Sequence, residues 1–181
     1  EAVDSTRGEI LTFDSRPIVA YFHSTSGGIT EDAFEVFGKS YSYLKPVETN
    51  SELSPYFLWQ KKISVKDMEK ASGVKGLKGI SIDSHTASGR VRNFSFVNGA
   101  GSTKIAAKTL RQSLGWDKLP STFITSIMRD NGAFIIEGRG FGHGVGMCQW
   151  SALQMARDGK SYRDILAYFY QGTVLQQYED R

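Results

Sequence analysis

The chain has 181 residues, with 40% hydrophobic and 23% charged content, which excludes a disordered chain and allows one domain with a sizeable core. The formal net charge of +3 and pI near 8.9 are mild, and no Lys/Arg run is long enough to track phosphates, so nucleic acid is not an implied partner. One cysteine, Cys148, excludes an intrachain disulfide and a multi-cysteine zinc site, and no apolar run reaches the ~20 residues of a membrane span.

No signal-peptide pattern opens the chain, which starts at Glu1 rather than Met, as a processed or excised piece of a longer protein would. Ile10, Thr12 and Phe13 predict a strand, Asp14 to Pro17 a turn, and the β-branched and aromatic run Ile18 to Phe22 a second strand. Ser24 to Gly28 is a small-residue loop. Thr30 is placed to cap a short helix, with Glu31 and Asp32 in its first turn. Tyr41 to Trp59 reads as an aromatic-rich loop broken by Pro46 and Pro55.

Trp59 to Ser64 predicts a strand, and Ser64 caps a helix over Val65 to Ser72 that Gly73 ends. Leu77 to Phe96 predicts a hairpin about Thr86–Gly89, followed by the turn signal Asn98-Gly99, so this stretch is a β-meander. The next helix ends at Gly115. Strands over Phe123 to Met128 and Ala133 to Glu137 meet at Asp130-Asn131-Gly132. Two C-terminal helices follow, Met147 to Arg157 and, behind the cap Ser161, Tyr162 to Tyr170. The class is α+β: mainly antiparallel strands with a few packed helices and a C-terminal helical pair. Residues 1–181 read as a single domain, with 60–116 as an α/β subdomain within it.

The most unusual stretch is "GRGFGHGVGMCQW", where Gly138, Gly140, Gly142, Gly144 and Gly146 alternate around His143. Glycines at every second position strip side chains from one face and let a ligand approach the main chain. That predicts a groove floor displaying His143, with Arg139 and Phe141 reachable from the other side; two backbones packing tightly would use the same pattern. Neither a Walker loop nor a parallel dinucleotide-binding unit fits. "HSTSGG", His23 to Gly28, offers hydroxyls and amides suited to a sugar or a peptide backbone, or forms a plain turn. His23 and His143 lack a third metal-ligand motif, and no cofactor signature is present. Cys148 is either a thiolate at a helix start or a small buried residue. Tyr41, Tyr43, Tyr56 and Trp59 are sugar platforms or core, whereas Tyr162, Tyr168, Phe169 and Tyr170 read as core.

"GRGFGHGVGMCQW" with "ALQMARDGKSYRDILAYFYQGTVL" resembles the C-terminal signature of the SpoIID/LytB family. "YFHSTSGGITEDAFEVFG" with "YLKPVE" is similar to its middle signature, and "SGRVRNFSF", "KTLRQSLGW" and "LPSTFIT" follow in order. The resemblance covers nearly the whole chain; Cys148 and Ser151 stand where the family more often has Ser and Gly. It implies a cell-envelope, extracytoplasmic protein related to sporulation protein D and amidase enhancers. It also implies a lytic transglycosylase that cleaves MurNAc–GlcNAc bonds of peptidoglycan to 1,6-anhydro ends. Such a reaction needs one well-placed acid. The family's acid lies in an early "E-M-P" stretch absent from these residues, so the resemblance implies a substrate-groove portion without its N-terminal catalytic segment. Glu31 and Glu137 are the candidate stand-ins. His23, Ser24, Thr25, Ser26 and Gly27 are expected as one wall of the groove, and Arg139, Gly140, His143, Gly144 and Gln149 as the other. The expected partners are peptidoglycan glycan strands, with a second cell-wall hydrolase as a further partner. The alternative is a non-catalytic glycan-binding or amidase-enhancing module.

Overall fold

The structure, a computed structural model, describes residues 2–178. The ends of the expected 1–181 domain, residues 1 and 179–181, lie outside the described residues.

The elements run α1 (Ala2–Ser5), β1 (Glu9–Phe13), β2 (Arg16–Pro17), β3 (Phe22–His23), α2 (Ala33–Phe37), β4 (Leu58–Ser64), α3 (Val65–Ser72), β5 (Gly79–His85), β6 (Val91–Asn98), β7 (Gly101–Ala106), α4 (Ala107–Leu114), β8 (Ile124–Asp130), β9 (Ala133–Arg139), β10 (Met147–Cys148), α5 (Gln149–Arg157), α6 (Tyr162–Phe169) and β11 (Val174–Gln177). The class is α+β, as expected. There are three antiparallel sheets among the described residues, ordered β11-β1-β2, β4-β9-β8 and β5-β6-β7, and a short parallel pair, β10-β3. Among the described residues, no helix is long and apolar enough to cross a membrane.

Two apolar cores divide the work. The first gathers Ile63, Met68, Phe94, Phe96, Leu110, Phe134 and Ile136, so the 60–116 stretch shares its core with β8 and β9. The second packs α5 and α6 under the loop that follows α2, through Tyr43, Leu44, Val145, Cys148, Ile165 and Phe169. Two of the caps act as the sequence implies. Ser64 accepts from the Asp67 N–H, and Ser161 with Asp164 forms a reciprocal capping box.

Four expectations need correction. Ile18 to Phe22 is not a strand; only Phe22 and His23 pair. The backbone there is satisfied by other groups: the Tyr43 hydroxyl accepts from the Val19 N–H at 3.0 Å, and the Tyr21 carbonyl accepts from Met147. Thr30 is not the cap of α2. Asp32 holds that place, while the buried Thr30 hydroxyl accepts from the Val47 N–H at 2.8 Å. Glu31 therefore lies before the helix and points inward. Met147 and Cys148 do not begin α5 but pair in parallel with Phe22 and His23. Tyr162 and Tyr168, expected in the core with Phe169 and Tyr170, are exposed.

Candidate functional site

The glycine loop packs against the His23–Gly27 segment. Thr25 and Phe141 exchange backbone bonds at 3.0 and 2.8 Å, and Cys148 pairs with His23 in β10-β3. A Cβ on Gly140 would lie 2.7 Å from the Thr25 carbonyl oxygen, and one on Gly142 2.8 Å from the His23 Cβ. On Gly144, at φ +86°, it would lie 2.7 Å from the Arg90 guanidinium. The stripped face is thus occupied by a second backbone and by Arg90, rather than left open as a groove floor. The two expected walls do come together, but as one wall with a cavity on either side.

The first cavity, of about 810 Å³, is lined by Glu31, Glu35, Phe37, Trp116, Gly142 and His143, among others. That lies within the roughly 300–1,000 Å³ of small-molecule ligand pockets. Phe34, Phe37 and Trp116 stand exposed around it. The Arg111 guanidinium lies 4.1 Å from the centroid of the Trp116 ring and is fixed by the carbonyls of Leu119 and Pro120, at 3.0 and 2.8 Å. Burial lowers the Arg111 pKa to about 10. Glu35 pairs with Arg92 within the same lining.

Glu31 is 2% exposed. Its Oε2 accepts from the Thr86 and Ser88 hydroxyls at 2.6 and 2.8 Å, and its Oε1 from the Asp32 N–H at 2.8 Å. Its own N–H donates to the Gly144 carbonyl at 2.8 Å. Beside it, Arg90 is buried and donates to Ser88 Oγ and to the Ser26 and Ile29 carbonyls, at 2.9, 2.7 and 2.8 Å. Burial lowers the Arg90 pKa to about 10, Glu31 opposes that, and Arg139 adds to it. Glu31 thus has protein hydrogen-bond donors on both carboxylate oxygens.

His143 Nδ1 accepts from the Val145 N–H at 3.0 Å, which assigns the ring proton to Nε2. Burial lowers its pKa to about 4, against a backbone hydrogen bond to Phe22. His23 is 4% exposed, with Nδ1 on the Val145 carbonyl at 3.1 Å and a buried Nε2 lacking a partner among the described residues. Burial and then the charge of His143 lower its pKa to about 3. The two rings lie 5.5 Å apart, both neutral at pH 7. Among the described residues, no group of three His, Cys, Asp or Glu side chains is placed to hold a metal.

The remaining expected residues divide. Thr25, Ser26 and Gly27 are buried in a hydroxyl network, in which Thr25 meets Ser54 at 2.6 Å and Ser26 meets Thr49 and Ser51. Ser24 is half-buried and Gln149 exposed, and neither lines the first cavity. Arg139 and Glu137 do not line it either. Glu137 accepts from Ser126 and Gln60 at 2.7 and 2.8 Å, and these bonds, Ser126 first, hold its pKa low. It orients neither His143 nor Arg139. Cys148 is fully buried, with the Ser26 N–H on its sulfur at 3.3 Å. Trp59 donates to the Gly140 carbonyl at 2.9 Å, and Tyr43 is buried, so these act in packing. Sequence reasoning missed Trp116, Arg111, Arg92 and Arg90. Arg92 lies on β6 and Arg111 on α4, with Arg90 just before β6 and Trp116 in the turn after α4, all in sequence of ordinary composition, and only the "SGRVRNFSF" and "KTLRQSLGW" motifs marked their neighbourhood.

Residues 39–146, more than half of the chain, match the family described as Domain of unknown function (DUF8618). Stage II sporulation protein D of Bacillus subtilis (strain 168) is 35% identical over 98% of this chain and 50% of its own length. Stage II sporulation protein D of Bacillus amyloliquefaciens is 34% identical over 97% of this chain and 50% of its own length. The amidase enhancer of Bacillus subtilis (strain 168) is 30% identical over 98% of this chain and 32% of its own length. The chain spans about half the length of the sporulation relatives, and less of the enhancer.

Proposed function

The chain belongs to the family described as DUF8618 and, through relatives matched over nearly its whole length, to the SpoIID/LytB proteins, and from that premise we propose that it binds peptidoglycan glycan strands in the cell envelope. The observation that carries this is the 810 Å³ cavity, where exposed aromatic rings flank fixed donors and acceptors. Sugars need this combination: apolar ring faces stack on aromatics, and hydroxyl and N-acetyl groups need oriented polar partners. Trp116 offers a face held from behind by Arg111. Glu35, Arg92 and Asn93 offer polar edges, and neutral His143 supplies a wall that stays uncharged at neutral pH.

The parent activity is a lytic transglycosylase, with this chain as its substrate-groove part. Cleavage without water needs one protonated carboxyl beside the glycosidic oxygen, which then takes a proton from the attacking 6-hydroxyl. Glu31 is tied to Thr86, Ser88 and Asp32, and Glu35 to Arg92. Those ties support an acid supplied from outside residues 1–181. The test is an assay on purified peptide-free glycan strands with mass-spectrometric detection of anhydro-muramic products, comparing this chain with the longer protein. Product from the longer protein alone is expected. Product from this chain alone returns the acid to Glu31 or Glu35. The amidase-enhancer relative and the tied carboxylates favour a second reading, a non-catalytic module; binding without product from either form would select it.

A further inference from the structure

On the other side of the shared wall lies a second cavity, of about 700 Å³, lined by Gly28, Glu48, Asn50, Ser88, Phe123 and Arg139, among others. Its chemistry differs from that of the first. Arg139 is the one cationic residue in its lining. Its guanidinium carbon lies over the Phe123 ring, 4.1 Å from the centroid, and among the described residues it makes no ion pair. Its Nε–H is buried with no acceptor among the described residues. Leaving such a donor unmet is costly, so the fold holds an arginine with hydrogen-bonding capacity unspent at Nε.

The surroundings keep that group in place and in reach. A Cβ on Gly27 would lie 3.1 Å from the Arg139 Cγ, so side-chain-free backbone lets the arginine lie across the "SGG" turn. Ser151 donates to the Asn50 carbonyl at 2.6 Å and pins a loop that lines the cavity. Tyr168 donates to the Glu48 carbonyl at 2.6 Å and leaves its ring exposed beside the opening. Exposed Glu48 is the one acidic side chain in this lining, and it does not pair with Arg139.

We infer that Arg139 and the Gly28–Ser88–Asn50 cavity form a carboxylate-reading subsite for an acidic sugar, separate from the cavity of His143. A planar, unpaired guanidinium held over an aromatic ring matches a carboxylate in a two-point contact. The single cation matches the one charge of a monoanion, and the exposed Glu48 in the same lining further disfavours a phosphate dianion. The saccharide part of the assignment rests on the glycan reading above. In a peptide-free strand the carboxylate is that of the lactyl ether, which a stem peptide would convert to an amide.

The test uses N-acetylmuramic acid, its methyl ester and inorganic phosphate, followed by NMR at the Arg139 Nε–H and the Gly27 and Gly28 amides. Peptide-free strands with free or methyl-esterified carboxyls are then compared by calorimetry. The acid is expected to shift these resonances saturably, and the ester to bind at least about ten-fold more weakly, the loss expected for a charge-assisted pair. Arg139→Gln is expected to erase the difference between acid and ester, and Glu48→Gln to tighten the acid. Equal binding of acid and ester to the unaltered protein overturns the subsite whether or not the variants fold, and so does phosphate binding as tightly as the acid. If N-acetylmuramic acid binds at Arg139 but no strand binds at all, the subsite stands and the glycan-strand reading falls. If strands bind regardless of esterification, the glycan reading stands and the subsite falls.

Discussion

Lowering the pH from about 7.5 to about 5 should destabilise this protein through two histidines. In the folded chain His23 is held at about 3 and His143 at about 4, both by burial first, against 6.5 for a free imidazole. A histidine whose pKa falls on folding stays neutral in the native state while the unfolded chain takes up a proton. Stability is therefore fully present above pH 6.5 and is lost as pH falls toward the folded values. At pH 5 each group is about 1.5 units below its unfolded pKa, which at 1.36 kcal/mol per unit is roughly 2 kcal/mol each and about 4 kcal/mol together. The carboxylates do not blur this window: Asp67, Asp83 and Asp164 are held below 3.8 and Glu137 below 4.5 by their hydrogen-bond donors, so their contributions are lost at lower pH. Urea unfolding at the two pH values measures the difference directly, and its slope against pH counts the protons. His23→Asn, which can still donate to the Val145 carbonyl, should reduce the loss to about 2 kcal/mol. A change below about 1 kcal/mol in the unaltered protein would show that the rings are hydrated, and the buried-wall account of the glycine loop would fail.

Gly146→Ala should cost about 3 kcal/mol or more, because φ is +71° and the added Cβ would sit on the Tyr21 carbonyl oxygen. Gly76→Ala, at φ +65° in open space, should cost only about 1–2 kcal/mol, and similar thermal midpoints for the two would remove the close-packing argument. Arg90→Met leaves Glu31 without its buried counter-charge and two carbonyls without their donor, so a loss of about 3–5 kcal/mol is expected in denaturant melts, partly restored by adding Glu31→Gln. No restoration would mean that Arg90 serves the carbonyls alone. Trp116→Ala should weaken binding of neutral N-acetylglucosamine oligomers about ten-fold while changing stability by no more than about 1 kcal/mol, since the ring is half-exposed. Unchanged affinity by calorimetry would take the sugar platform away from this cavity.

Much of the skeleton was legible because its signals are local. Ser64, Gly73 and Ser161 set helix ends through their own hydrogen bonds and dihedrals, and the hairpin expected at Asn98-Gly99 forms one residue later, at Gly99-Ala100, with the Asn98 side chain accepting from the Ala100 N–H. What failed depends on distant partners. Ile18 to Phe22 has strand composition, yet its backbone bonds go to Tyr43 and to the loop before α5. Glu31 sits two residues before a helix and looks like a first-turn acid, but Thr86 and Ser88, more than fifty positions away, draw it inward. No local pattern announces that contact. Val174 to Gln177 forms β11 only because β1 offers it an edge.

The alternating glycines have a physical cause beyond ligand access. The wall between the cavities must hold two backbones, Tyr21–Gly27 and Gly138–Gly146, close enough for direct amide bonds while Arg90 passes beside them. Any Cβ on that face would separate them, and the Ser26 carbonyl that Arg90 binds would move out of reach. The same arginine donates to Ser88, whose hydroxyl donates to Glu31 in the first cavity and which itself lines the second. The wall is therefore stiff because Arg90, Ser88, Glu31 and the two backbones hold one another through buried hydrogen bonds, where a charge left unpaired costs several kcal/mol. That stiffness lets His143 and Arg139, four residues apart in sequence, serve different cavities: the main chain between them is fixed by backbone bonds to Thr25 and Pro120 and has no slack to bring both side chains to one ligand atom.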